Sequence, residues 1–382
     1  MLMGLPVDVI GGGVAGLAVA TALAQRGAKV QVLERAPEIS EVGAGLQISP
    51  NGAAVLAALG QGDALREAGI VSHAVELRDF RAGQTVLRLD LSRHNTGPHP
   101  FVLIHRARLI GILEAAAREA GVEISLSRHI TGGDGRSGGI VLGADGVHSW
   151  MRSELNGAAE PFFTGQVAWR ALIEDRGAPP EAHVYMGPGR HLVTYPLAGG
   201  LRNIVAVEER SEWTAEGWNH EDDPANLRAA FAGFAPEVRG WLDRVTKANL
   251  WGLFRHPVAA RWHSDSKAIL GDAAHPTLPF LAQGANMALE DAWVLADCLA
   301  HRPPPDALAL YQARRRDRVV RVIEAANANA RNYHLRNPAV RGLAHAALRV
   351  GGAIAPGAAL RRFAWLYDYD VTDGAKSAMH SE

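Results

Sequence analysis

Three glycines near the start of the chain, Gly11, Gly13 and Gly16, are spaced Gly-x-Gly-x-x-Gly, and Glu34 follows the last of them by 18 residues. At a helix start, glycines let backbone N–H groups approach a pyrophosphate, and the helix dipole favours the anion. A carboxylate at the end of the next strand accepts a hydrogen bond from a ribose hydroxyl. The chemistry spelled by this spacing is adenine dinucleotide binding. It does not distinguish FAD from NAD.

Such a site needs a strand, a glycine turn, a helix and a second strand. Val7 to Ile10 is a short apolar run ending at the glycines, Val14 to Arg26 carries apolar residues at helical spacing up to Gly27, and Lys29 to Leu33 reads as the second strand. This opens a doubly wound sheet. From Val75 the texture becomes that of a hairpin, with a turn at Arg81 to Gln84 and a return over Thr85 to Leu91. A helix is expected over Arg108 to Gly121 and a buried-type strand over Ile140 to Leu142. Strands over Val167 to Ile173, His183 to Met186, His191 to Leu197 and Asn203 to Glu208 suggest an antiparallel sheet. Ala268 to Leu270 is a last short strand before Gly271 and Asp272, and Gly284 to Leu299 is a helix. The remainder is Ala- and Arg-rich and helical, and its charge run Arg314 to Arg318 reads as a solvated face.

Two later motifs carry a resemblance. Gly143-Ala144-Asp145-Gly146-Val147-His148-Ser149, with Arg152 after it, resembles the Asp-Gly motif of flavin-dependent aromatic hydroxylases. Gly271-Asp272-Ala273-Ala274-His275-Pro276, followed by Gln283-Gly284-Ala285-Asn286 and Met287 to Ala292, resembles their second FAD motif. Further matches are Gly43 to Gln47, Pro50-Asn51, His105-Arg106-Ala107, Trp169-Arg170 and Trp365 to Val371. The chain thus resembles the single-component class with the para-hydroxybenzoate hydroxylase fold, in the branch of salicylate, 3-hydroxybenzoate and 6-hydroxynicotinate monooxygenases.

That resemblance implies an α/β fold in which a Rossmann-like FAD-binding domain (1–72, 105–163 and 266–302) is interleaved with an antiparallel-sheet substrate domain (73–104 and 164–265), followed by a C-terminal helical region (303–382). It implies non-covalent FAD, NADH or NADPH as co-substrate, O2, and hydroxylation of a phenolic or hydroxypyridine aromatic acid through a flavin hydroperoxide. The implied cofactor residues are Gly11, Gly13, Gly16, Glu34, Arg35, Gly45, Arg106, Asp145, Asp272, Gln283, Gly284, Ala285 and Asn286. At the start of their helix, the N–H groups of Gly284, Ala285 and Asn286 are placed to face the flavin's pyrimidine edge.

For the substrate the residues are Gln47, His191 and Tyr195, the last two in a His-x-x-x-Tyr-Pro arrangement seen in the same branch. On a strand they share a face and stand about 13 Å apart along it, enough to reach opposite ends of an aromatic ring. His191, with an ordinary pKa of about 6.5, is assigned proton transfer; Tyr195, at about 10, is assigned orientation of the phenolate oxygen. A halogenase would share the FAD half, but Val167 to Ile173 lacks a Trp-x-Trp-x-Ile-Pro. A non-enzymatic flavin-binding sensor is the other alternative. The stretch from Ser127 to Gly139 is shorter than the family's β-meander and glycine-rich, so an irregular loop is expected there, and Ala282 stands where many relatives have glycine.

The whole sequence fits this reading. It has 382 residues, 48% hydrophobic, enough for large cores and more than one domain. A formal net charge of −1 provides no cationic field for nucleic acid or an anionic membrane, so the partners expected are small molecules. The single cysteine, Cys298, excludes an internal disulfide, and no metal-ligand spacing is present. Met1 to Leu23 lacks a basic leader and is broken by Asp8 and Gly11 to Gly13, and no apolar run spans a bilayer. A cytoplasmic enzyme is expected, with a homodimer left open.

Overall fold

The computed structural model describes residues 2–39, 45–95, 97–131, 139–213 and 220–373. The chain opens with β1 (Pro6–Ile10), α1 (Val14–Ala24) and β2 (Lys29–Leu33). Val7, Val9 and Ile10 are all buried, the pattern of a strand covered on both faces. Next come β3 (Gly45–Ile48), α2 (Pro50–Ala58), α3 (Gly62–Ala68), β4 (Ile70–Val71), the hairpin strands β5 (Ala74–Asp79) and β6 (Thr85–Asp90), and the short α4 (Ser92–Asn95). The path returns through β7 (Val102–His105), α5 (Arg106–Glu119), β8 (Glu123–Ser125), β9 (Ile140–Gly143) and α6 (Trp150–Asn156).

A second excursion holds β10 (Phe162–Glu174), β11 (Glu181–Gly187), β12 (Arg190–Leu197), β13 (Leu201–Glu209), β14 (His220–Asp222), α7 (Pro224–Ala230), α8 (Pro236–Asp243) and β15 (Ala248–Arg255). Strand β16 (Lys267–Ile269) and the helices α9 (Gly284–His301), α10 (Pro304–Tyr333) and α11 (Pro338–Ile354) follow.

These strands form three sheets. The first, in the order β16-β9-β1-β2-β8, is parallel throughout. It packs with α1, α5, α9 and α10 into the largest core. The second has eight strands, in the order β14-β15-β10-β13-β12-β11-β5-β6, and is antiparallel except where β5 lies parallel to β11. One face of it, including Trp169, Tyr185, Leu192 and Ile204, packs on Phe231, Phe234, Val238 and Leu242 from α7, α8 and the turn between them. The other face turns towards the nucleotide-binding half. The third sheet, β3-β7-β4, bridges the two halves.

The α/β class, the parallel sheet, the interleaved antiparallel sheet and the C-terminal helices agree with the sequence reading. Of the expected loop at 127–139, the described residues 127–131 and 139 carry no strand or helix; 132–138 lie outside the described residues, as do Gly43 and Ala44. Among the described residues no helix is long and apolar enough to cross a membrane.

Candidate active site

The glycine turn has steric reasons for its composition. Gly11 has φ +106, and a Cβ there would collide with the carbonyl oxygen of Ala144; one on Gly16 would collide with that of Gly11. Around Gly13 nothing lies within 4 Å of where a Cβ would stand, so this side of the turn is open to a ligand. Gly13 caps α1 without a side-chain bond, and the first turn carries no acid, which leaves backbone N–H groups and the positive helix end for a pyrophosphate. At the end of β2, the Glu34 carboxylate accepts from Gly12 N at 2.5 Å and from Ala36 N at 2.8 Å. Arg35 beside it is exposed.

Asp145 follows β9. Its Oδ1 is buried with no hydrogen-bond partner, and burial pushes the carboxyl above its usual range against the hydrogen bonds it accepts from Ser149 and nearby backbone. Such an atom calls for a donor from a bound group. Asp272, after β16, is exposed, and Arg106, the first residue of α5, attracts it. Arg152 donates to the carbonyls of Ala273, Ala274 and Pro257 and so holds the 271–276 segment in place. An open glycine turn, a carboxylate at the end of β2 and an orphaned carboxylate oxygen fit the FAD implied by the motifs.

The other end of the cofactor site is the start of α9. It has no side-chain cap and no acid in its first turn. The side chain of Gln283 is engaged within the protein: Nε2 donates to Ser49 Oγ at 2.9 Å and Oε1 accepts from Asn51 at 3.0 Å. Asn286 is likewise a staple, accepting from Ser49 N and donating to the carbonyls of Gln47 and Ala282. The side chains of Gln283 and Asn286 thus tie the junction of β3 and α2 to the helix, and what these two residues have left to offer a ligand is backbone. Ala282 enters this helix with φ +52, the left-handed region that glycine adopts without cost.

Above the helix start lies the second face of the large sheet. Tyr195 on β12 is directly opposite Asn203 on β13, and Asn203 Oδ1 accepts from Gly45 N at 2.9 Å. Arg170 on β10 stacks on the Trp251 ring at 4.1 Å and neighbours both Arg106 and Tyr195. Burial, reinforced by Arg106, pulls the Arg170 guanidinium down to about 10, so it stays charged at neutral pH. Arg170 Nε and Asn203 Nδ2 are buried donors without an acceptor among the described residues. The structure thus brings Gly45, Gln47, Arg106, Arg170, Tyr195, Asn203, Asp272 and Asn286 into one neighbourhood. Arg170 and Asn203 were given no role on sequence alone; the available signal was an arginine inside the apolar run Val167 to Ile173.

His191 lies on the same strand face but in different company. Its ring packs on Phe280 and Tyr333, and Nδ1 sits 2.7 Å from His334 Nε2. Burial, then His334, pushes its pKa well below the usual value. This setting favours a neutral imidazole over the ring poised near neutral pH that the sequence suggests. Burial also pushes the Tyr195 phenol upward, so it stays a protonated donor.

Behind the cofactor site is an ion network that motif reading did not anticipate. Asp291 accepts from Gly271 N at 3.0 Å, His275 Nε2 at 2.5 Å and Arg315 Nε at 2.7 Å. Glu290 meets Arg315 at 2.6 Å, Arg318 at 2.7 Å and Asn51 Nδ2 at 2.7 Å. Arg318 also donates to the carbonyls of Trp365 and Leu366, so Arg315 and Arg318 tie α9, α10 and the C-terminal turn together, while Arg316 and Asp317 form the solvated face expected of the run.

The sequence profile described as FAD binding domain matches residues 5–140 and 139–326. The chain is 35% identical over 351 residues to the 3-amino-4-hydroxybenzoate 2-monooxygenase of Streptomyces platensis, covering 86% of this chain and 88% of that one. To the 3-hydroxybenzoate 6-hydroxylase of Polaromonas naphthalenivorans it is 34% identical over 355 residues, again 86% and 88%. A salicylate hydroxylase solved as a substrate complex superposes with a TM-score of 0.81 at 25% identity, covering 98% of each chain. These activities match the hydroxylase expectation and not a halogenase or a sensor.

Proposed function

The chain belongs to the family of FAD-dependent aromatic monooxygenases, and from that membership we propose that it hydroxylates a phenolic aromatic acid of the hydroxybenzoate kind, with NAD(P)H and O2 as co-substrates. When bound, FAD supplies the transfer of electrons from NAD(P)H to O2 and of one oxygen atom to the ring. The protein's part is to hold an electron-rich ring in line.

The observation carrying this reading is the pair of buried donors, Arg170 Nε and Asn203 Nδ2, that have no acceptor among the described residues and lie beside the Tyr195 phenol. A buried donor without an acceptor costs ~1–3 kcal/mol, more when charged, so the site favours a ligand carrying an anionic acceptor. A carboxylate meets that need beside Tyr195, whose hydroxyl helps to orient the ring, and His191, towards the other end of the ring, takes the phenolic proton. Gln47 on β3 and the backbone at Gly284, Ala285 and Asn286 border the ring. Glu34 holds the adenosine ribose and Asp272 a ribityl hydroxyl.

The test compares 3-hydroxybenzoate with 3-hydroxybenzamide. In the FAD-loaded protein, Arg170→Gln should raise KM for the acid by about tenfold to a hundredfold and leave that for the amide nearly unchanged, the loss of one charge-assisted hydrogen bond. Equal losses for both ligands would remove the carboxylate assignment. We place the protein in the cytoplasm, where NAD(P)H is supplied. A second copy is the natural cover for the exposed Leu343, Val350 and Ile354 of α11, which light scattering would detect.

A further inference from the structure

His191 does not end the chain of hydrogen bonds on its strand. Its Nδ1 lies 2.7 Å from His334 Nε2, His334 Nδ1 lies 2.8 Å from Glu209 Oε1, and Glu209 Oε2 meets Arg336 Nη2 at 2.5 Å. The burial grades outward along this line. His191 is 2% exposed and His334 4%, while the Glu209 side chain is 30% exposed and that of Arg336 72%. Backbone bonds fix the geometry: His334 closes α10, its carbonyl accepts from Gly189 N, and the Gly189 carbonyl accepts from Glu209 N.

The chemistry of the last acceptor sets every tautomer. An ionised carboxylate only accepts, so His334 must carry its proton on Nδ1. As a neutral ring, His334 then offers a lone pair at Nε2, which obliges His191 to donate from Nδ1. The second nitrogen of His191, Nε2, is left as a lone pair on the sheet face that carries Tyr195. Glu209 remains ionised because the hydrogen bonds from Arg336 and His334 outweigh the opposing effect of burial. The other charged groups facing this line are Arg190 and Glu208, paired with each other at 3.0 Å, while Tyr333 and Phe280 flank the His191 ring.

We propose that His191, His334 and Glu209 form a proton wire that carries the substrate's phenolic proton to solvent at Arg336, with His334 and Glu209 as positioning residues acting through His191. This rests on the proposed hydroxylation of a phenolic acid. The phenol O–H bond breaks as Nε2–H forms on His191. The Nδ1–H of His191 passes to His334 Nε2, and the Nδ1–H of His334 passes to Glu209 Oε1, which releases it to water. Each ring gains one proton and loses one, so no imidazolium persists in an interior that disfavours it; the substrate is left as the phenolate with both tautomers inverted, and the reverse hops, which bring a solvent proton through Glu209 back to the product's phenolate oxygen, restore them.

The experiment has two arms on full-length, FAD-loaded protein. In the first, 15N correlation spectra report the histidine tautomers without any ligand. Nδ1–H is expected on both His191 and His334, and Glu209→Gln, which offers an amide donor in place of a carboxylate, should shift His334 towards Nε2–H. An Nε2–H His334 in the unaltered protein overturns the wire whether or not the protein hydroxylates anything. In the second arm, 3-hydroxy-4-nitrobenzoate, whose phenolate absorbs in the visible, is bound without NAD(P)H. Glu209→Gln and His334→Gln should raise the apparent pKa of the bound phenol by about one unit and slow its ionisation about tenfold, with FAD content and affinity for the protonated probe retained, and Glu209→Asp should recover part of the loss. Unchanged ionisation in both variants overturns the wire. The expected tautomers in a protein that binds no phenolic acid would support the hydrogen-bond line and refute the substrate class.

Discussion

Gly45 and Tyr195 meet with no room for a methyl group: a Cβ on Gly45 would stand 2.5 Å from Cε2 of the tyrosine ring. The contact joins β3 to the substrate-facing side of β12, and Gly45 N also donates to Asn203, the cross-strand partner of Tyr195. Gly45→Ala should therefore displace the phenol while leaving the nucleotide end intact. The expected result is retained FAD with product per NAD(P)H reduced about tenfold and hydrogen peroxide increased correspondingly, because a misplaced ring is not hydroxylated. Product and peroxide assays together measure it; unchanged coupling would show that β3 yields at no cost.

Ala282 in the left-handed region predicts the opposite kind of change. An L-residue there is disfavoured by about 1–2 kcal/mol relative to the right-handed form, and glycine removes most of that while adding some freedom to the unfolded chain. Ala282→Gly should raise Tm by roughly 1–3 °C. The helix start should keep its position, so FAD affinity should change less than threefold. Calorimetry with parallel flavin titration checks both.

Arg315 is fully buried between Glu290 and Asp291. Arg315→Ala leaves two carboxylates without their shared partner and should cost about 3–5 kcal/mol. Arg318→Ala should cost less, because Arg315 and Asn51 still reach Glu290. Denaturant unfolding of the two variants in the FAD-bound protein gives the order. Equal costs would mean that the network relaxes as a unit.

The buried histidines set the response to acid. Burial holds His183, His191, His256 and His334 below the usual histidine range. In the unfolded chain they titrate near pH 6.5, so below that pH the unfolded state binds protons that the native state refuses, and stability falls as pH drops. Asp291 acts later: its carboxyl is brought to about 2 by His275 and Arg315 against the effect of burial, so its contribution is present above its unfolded value of about 3.9 and lost below it. Asp145, whose carboxyl burial raises, opposes this acid loss. Tm should decline between pH 7 and 5, before the Asp291 contribution is affected, and a flat profile over that range would contradict the histidine account.

Sequence alone made four of the five strands of the parallel sheet legible, because β1, β2, β9 and β16 each abut a glycine or an acid with a chemical reason to be there, whereas β8, three residues long, carries no such mark. Lys29 to Leu33 was read at its observed limits, and Val7 to Ile10 fell one residue short. The bridging sheet was not legible: β3 is four residues long, and its partner β7 lies more than fifty residues away, so neither period nor local turn announces the pair. The engaged side chains of Gln283 and Asn286 were hidden for the same reason. Their partners Ser49, Asn51 and Gln47 are over 230 residues distant in sequence. His334 lies in the Ala- and Arg-rich helical remainder, where no motif marks it, and only its meeting with His191 of β12 gives it a role.

The nesting of the two sheets governs how the chain is made. β1 pairs with β2 almost at once, but its other neighbour, β9, is synthesised about 130 residues later, and β9 waits for β16. β5 likewise waits for β11, about a hundred residues further on. At ~5–20 residues per second, on the order of ten seconds to a minute separates β1 from β16, with apolar strand edges unpaired in the interval. Non-local pairing of this kind folds slowly. Recombinant yield should therefore respond to growth temperature and to holding chaperones, and a fragment ending before β16 should accumulate as aggregate and not as a smaller native protein.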